Sequence, residues 1–203
     1  MNTRILPLMM LAALPLAPAL AQSGATTNPA QVESGTYAID PQHTQVLFAV
    51  SHMGFTTYYG RFSDAGGMLN LSAKDPAASS LQVQVPVSTV STQSEKLTEE
   101  LKDPDWFNAQ KFPTISFTST GVQRTGPDLA QVTGNLTLHG VTKPVTLAVH
   151  FVGAGVNPID KKYTVGFSAT GMIRRSDFGM TTYVPLIGDQ VELTLSGAFE
   201  RQG

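Results

Sequence analysis

Leu81-Gln82-Val83-Gln84-Val85-Pro86-Val87 alternates apolar and polar side chains over its length. A period of two sends every second side chain to one face of an extended chain, so this stretch reads as a β-strand with one apolar and one polar face. The same rhythm spreads outward in both directions. Upstream, Val46, Phe48, Val50 and His52 share a face. Downstream, Ile115, Phe117 and Ser119 form a stripe, followed by Leu136 and Leu138, then by Val145, Leu147, Val149 and Phe151. Tyr163, Val165, Phe167, Ala169, Gly171 and Ile173 give a longer stripe, and Val191, Leu193, Leu195, Gly197 and Phe199 close the chain. With the less regular stretch 60–71, where Gly66 and Gly67 suggest a bend, about eight strands are expected. Short Gly, Pro, Asn and Asp turns join them, and no βαβ rhythm occurs. The fold class is therefore all-β, an antiparallel barrel or sandwich.

One segment departs from the pattern. Between Ser91 and Asn108, Thr92 with Glu95 forms a capping box, Leu97 and Leu101 fall on one helical face, and Lys96 and Glu100 are an i,i+4 pair. A short helix over 93–102 is expected, halted by Pro104, with Asp103 capping a second turn that carries Trp106 and Phe107.

Residues 1–21 have the layout of a secretory signal peptide: Arg4 as the basic start, an apolar run from Ile5 to Leu16, and Ala19-Leu20-Ala21 as the cleavage pattern before Gln22. The run is too short for a spanning helix and is broken by Pro7, Pro15 and Pro18. A periplasmic or secreted protein is the expectation. Residues 22–35 are small and polar and read as a flexible leader, so the folded domain is placed at 36–203. The chain has no cysteine, 13 Lys and Arg, and 15 Asp and Glu, for a net charge of −2. This excludes disulfides, thiol chemistry and Cys-based metal sites, and argues against nucleic acid as a partner.

Catalytic signatures are weak. Neither a G-x-S-x-G elbow nor an H-E-x-x-H pair occurs. The four histidines do not converge on spacing: His43 and His52 fall on opposite faces of an unbroken strand, and His139 and His150 point outward or sit in turns. Asp103 and Asp105 are better explained by helix capping than as a carboxylate pair. His52 continues an apolar stripe inward, either as a polar handle for a ligand head or as a buried histidine bonded to backbone. Of the neighbours Arg174 and Arg175, one points inward and one outward. The inward one could hold a phosphate or quinone oxygen, or pair structurally with Asp177 or Asp189.

Several blocks together are similar to a known family. Ile39-Asp40-Pro41-Gln42-His43-Thr44-Gln45-Val46-Leu47-Phe48, Ser51-His52-Met53-Gly54-Phe55 and Gly60-Arg61-Phe62 resemble the opening of the YceI-like proteins. Leu101-Lys102-Asp103-Pro104-Asp105-Trp106-Phe107, Phe112-Pro113-Thr114-Ile115-Ser116-Phe117, Gly134-Asn135-Leu136-Thr137-Leu138-His139-Gly140 and Arg174-Arg175-Ser176-Asp177-Phe178-Gly179 follow in the family's order. A departure surrounds His43, where the family often has small residues and Ser.

The resemblance implies a lipocalin-like antiparallel barrel with a tunnel for a polyisoprenoid, an isoprenoid quinone or a similar amphiphile, often in a homodimer. The implied role is transport, storage or shielding without catalysis, with no cofactor besides the lipid held as ligand and with a membrane encounter for ligand exchange. An enzyme acting on a lipid in the same tunnel and a surface interaction protein with a filled core are the alternatives. The side chains expected to line the tunnel are Phe48, Val50, His52, Phe55 and Phe62, then Val83, Val85, Leu97, Leu101, Trp106 and Phe107. Ile115, Phe117, Leu136, Leu138, Leu147, Val149, Phe167, Phe178 and Leu193 complete the set. His52, Arg174 and Arg175 are the candidates for contact with a head group.

Overall fold

Five long strands follow one another in a meander in the computed structural model, which describes residues 24–203. The expected signal peptide, 1–21, lies outside the described residues. The five are β7 (Thr114–Arg124), β8 (Leu129–Leu138), β9 (Val141–Val156), β10 (Tyr163–Arg174) and β11 (Ile187–Arg201), each antiparallel to the next. The first part of the chain contributes three strands that are each broken by a bend. β1 (Gly35–Ile39) and β2 (Gln45–His52) both pair with β11. β3 (Thr56–Phe62) and β4 (Gly66–Leu71) pair with β2 and β1 respectively. β5 (Ser80–Pro86) and β6 (Ser91–Thr92) pair with β4 and β3. Counting each bent pair as one strand, the sheet closes on itself as an eight-stranded up-and-down barrel, sealed where β1 and β2 meet β11. Closure removes the free edges on which an open sheet would aggregate.

The bends and turns have local causes. Between β3 and β4 the chain turns at Asp64 (φ 57°) and Gly67 (φ 146°), and a Cβ on Gly67 would stand 2.0 Å from the Gln82 carbonyl oxygen. Only glycine fits that approach. The β2–β3 hairpin turns through Met53 (φ 54°) and Gly54 (φ 73°), with the Phe55 N–H donating to the His52 carbonyl at 3.0 Å. Two positive φ values in a row match the twist of the flanking strands.

The helical insertion lies where expected but is shorter. α1 (Glu95–Glu100) is capped by Ser94, whose Oγ accepts from Leu97 N–H at 3.3 Å. Thr92 is not the cap, because it is paired in β6 and its hydroxyl donates to the Ser94 carbonyl instead. Lys102 pairs with Glu99 at 2.8 Å. The Asp103 carbonyl then accepts from the Trp106 and Asn108 N–H groups, closing the turn that carries Trp106 and Phe107.

The leader does not behave as a free linker. Thr26 exchanges two backbone hydrogen bonds with Ala154 at 2.7 and 2.9 Å, and Glu33 N–H donates to the Tyr163 hydroxyl. The Tyr37 hydroxyl donates to the Glu33 carbonyl at 2.6 Å, and Glu33 pairs with Arg201. The segment 24–34 thus lies along the barrel. Backbone pairing holds it, which its small polar side chains gave no sign of.

Candidate functional site

The inward stripes do not meet in the middle. They enclose a cavity of about 1210 Å³, above the roughly 300–1,000 Å³ common for drug-sized ligands. On β11 its wall runs from Ile187 to Arg201, and on β7 from Ile115 to Arg124, so it follows the barrel axis from one end to the other. Between the ends the wall is chiefly Val, Leu, Ile, Phe and Ala, with Thr44, Gln45 and Ser196 where β2 begins beside β11.

The two ends differ. At one, buried Leu101, Arg175 and Met180, with half-buried Trp106 and Phe107, form a floor. The Phe107 ring packs edge-on against Phe62 at 5.3 Å and against Phe48 at 6.2 Å. At the other end, the lining includes exposed Ala30, Glu33, Lys74, Arg124 and Leu129, which form a mouth. Residues from the leader and from the turns after β4 and β7 make up its rim.

Most side chains expected at the tunnel stand on this wall. Phe48, Val50, Phe62, Val83, Val85, Leu101, Trp106 and Phe107 line it, as do Ile115, Phe117, Leu136, Leu138, Leu147, Val149, Phe167 and Leu193. Four do not. Phe55 is 85% exposed, because it follows the β2–β3 turn and lies beyond the floor end of the cavity. His52 has the inward alternation, but the cavity ends at Ile187, its partner across the ladder, and its ring sits 6.3 Å from Tyr58. Leu97 packs α1 onto the cluster of Phe62, Val85 and Leu101 behind the wall. Phe178 is fully buried in the 3-10 turn after β10, packed under the floor. The wall also holds residues the alternation did not single out, among them Ile39, Leu69, Val122 and Met180. Ile39 and Leu69 lie on short strands, Val122 follows a bulge, and Met180 belongs to a loop, so only a barrel already in hand would assign them.

The polar groups separate into structural and unassigned. Arg174 points outward, 61% exposed, and lies 3.6 Å from Asp189. Arg175 is the inward one. Its guanidinium donates to the carbonyls of Gly188, Met180 and Ile187 at 2.9, 3.0 and 2.8 Å, and lies over the Trp106 ring at 5.7 Å. Burial lowers its pKa, with Asp189 acting in the opposite sense, and a guanidinium remains charged throughout the accessible range. The Asp189 carboxylate accepts from the Ser176 N–H and hydroxyl, both at 2.9 Å.

The remaining candidates are dispersed. His43 pairs with Asp40 at 2.5 Å and its pKa is raised by that hydrogen bond. His139 sits in the β8–β9 turn, its Nδ1 3.0 Å from the Phe178 carbonyl oxygen, and His150 lies 3.1 Å from Asp128. No group of three or more His, Cys, Asp and Glu side chains able to share a metal ion occurs among the described residues. Asp103 and Asp105 belong to the turn beyond α1, outside the cavity wall.

Comparison with known proteins agrees with this architecture. The sequence pattern of the YceI-like domain matches residues 37–199. Protein YceI of Salmonella arizonae is 39% identical over 162 residues, covering 79% of this chain and 84% of its own. Among solved structures, BcnA of Burkholderia cenocepacia superposes with a TM-score of 0.72 at 22% identity, covering 79% of this chain and 98% of its own. A polyisoprenoid binding domain from Saccharophagus degradans, implicated in plant cell wall breakdown, superposes with a TM-score of 0.61 at 16% identity, covering 84% and 100%. At these identities the two superpositions speak for the fold.

Proposed function

Because the chain belongs to the family of YceI-like domains, we propose that its barrel holds a polyisoprenoid or a similar long-chain amphiphile for transport, storage or shielding. The carrying observation is the elongated cavity, whose wall along the barrel axis is predominantly hydrocarbon. A cavity of this size also disfavours the filled-core reading. The polyisoprenoid-binding neighbour with the same fold lends support to the choice of ligand class.

Burial of the tail supplies enough free energy. At about 0.8 kcal/mol per CH₂, some 20 buried carbons give a gross gain of roughly 16 kcal/mol. Micromolar affinity needs only about 8 kcal/mol, and the difference offsets immobilisation and ordering of the chain. A role in binding is favoured over turnover because, among the described residues, the wall hydroxyls of Thr44 and Ser196 have no hydrogen bond to a His or carboxylate that could act as base.

Export belongs to the same proposal, resting on Arg4, the apolar run and Ala19-Leu20-Ala21. A periplasmic or secreted carrier would meet the membrane to exchange its ligand, and a homodimer is the expected assembly. N-terminal sequencing of exported protein should begin at Gln22, and light scattering should give twice the monomer mass. The deciding experiment is native mass spectrometry with organic extraction of protein purified from its own exported fraction. The expected result is an adduct that extracts as an apolar lipid. Ligand-free protein that also fails to take up supplied prenyl lipids would refute the proposal.

A further inference from the structure

Among the described residues Arg175 is the one cation lining the floor of the cavity, and it is 5% exposed. Its three bonds to the carbonyls of Gly188, Met180 and Ile187 tie the turn after β10 to the start of β11. That accounts for one N–H on each guanidinium nitrogen. Each terminal nitrogen carries a second N–H, and neither has a protein acceptor among the described residues. No carboxylate is within ion-pair distance either, since Asp189 is engaged by Ser176 and Arg174. Donors buried without acceptors are costly and rare, and a clamp for the turn would not require them beside an apolar wall.

Resting on the lipid-binding reading above, we propose that Arg175 is the anchor for the polar end of the ligand, which enters head first and leaves its tail along the barrel axis toward the mouth. The chemistry of the floor selects the head. Two N–H groups match the lone pairs of one uncharged acceptor oxygen, such as a carbonyl, and the Trp106 face borders the same space. A phosphate brings several anionic oxygens that need more donors and a second cation. The other lining cations, Lys74, Arg124 and Arg201, all lie at the mouth, so a phosphate-headed lipid would bind with its head there.

Trp106 is the only tryptophan of the chain and reports on the floor. Two long-chain 2-ketones of equal length, dibrominated either close to the carbonyl or at the far end, are titrated into the intact mature protein, and quenching of Trp106 fluorescence is followed. Bromines near the carbonyl should quench, and those at the far end should not; the reverse pattern would overturn the anchor. A hydrocarbon of the same length should bind the parent at least about tenfold more weakly than the ketone, and equal binding would again overturn it. Arg175→Lys, checked for folding by circular dichroism, should lose most of that preference, read as the ratio of ketone to hydrocarbon affinity within the variant; a full preference in the folded variant would contradict the proposal. Failure of every lipid to bind, read by native mass spectrometry, would overturn the lipid reading itself, and is distinct from lipids that bind with their far ends at Trp106.

Discussion

The floor of the cavity is packed from buried side chains, whereas its mouth is tethered by a few surface contacts. At the floor, Phe107 packs edge-on against the touching pair Phe48 and Phe62, and Arg175 ties three carbonyls together. At the mouth, the segment 24–34 is held by one isolated bridge at Thr26, two tyrosine hydroxyls and a solvent-exposed ion pair. Interactions of the first kind unfold with the whole domain, whereas those of the second open locally at small cost. The difference teaches that the barrel opens most easily at its mouth and is rigid at its floor, so under the proposed function the ligand would pass through the mouth. Each of the following substitutions strikes one end.

The largest effect is expected from Arg175→Met. It leaves three buried or half-buried carbonyls without their donor, and stability in urea should fall by about 3 kcal/mol or more. A loss below about 1 kcal/mol would mean that the floor is not held in this way. Phe107→Ala should cost about 2 kcal/mol, less than for a fully buried phenylalanine because the ring is only half-buried and borders a cavity. Thermal melts of the variant check it.

Asp189→Asn sharpens the picture of the floor through its pH dependence. The Ser176 N–H holds the Asp189 carboxyl below the usual carboxylate range against the effect of burial, with the Ser176 hydroxyl and the two arginines adding to it. A depressed folded-state pKa gives stability that is fully present above the unfolded value of about 4 and is lost as pH falls through the folded value. The parent should exceed the variant by about 1 to 2 kcal/mol at neutral pH, and the gap should close in acid. A gap that stays constant as the pH is lowered would show that the carboxylate charge is not involved.

The smallest stability effect is expected at the mouth. Glu33→Ala removes an ion pair with Arg201 whose members are 48% and 37% exposed, so stability should change by less than about 1 kcal/mol. Release of a bound lipid should nevertheless become several-fold faster in a stopped-flow displacement assay. A large stability loss with unchanged release would reverse the assignment of the two ends.

The same contrast explains what could be read from the sequence. Strands carry their inward face in their alternation, so the barrel and wall residues such as Phe117, Leu147 and Leu193 were legible. The rhythm breaks where the backbone slips. On β7 the register shifts between Ser119 and Gly121, so the inward set passes from Ile115 and Phe117 to Val122 and Arg124. A bulge inverts the phase without leaving an obvious mark in composition. Phe55 and Phe178 were apolar and near the right elements, but hydrophobicity does not reveal that one lies past a turn and the other under the floor. The docked leader was illegible for another reason: its contacts are made by main-chain groups and hydroxyls, which any small polar segment offers.

That the ligand is held chiefly by its tail is tested most directly by isothermal titration of a series of prenyl ketones of increasing length against the parent and against Phe117→Ala. Affinity should rise by at least about tenfold per added isoprene unit until the wall is covered, since each unit buries several carbons at about 0.8 kcal/mol apiece. Phe117→Ala should flatten that rise for the longer chains. An affinity independent of chain length, equal in parent and variant, would contradict a cavity built to hold a long apolar tail.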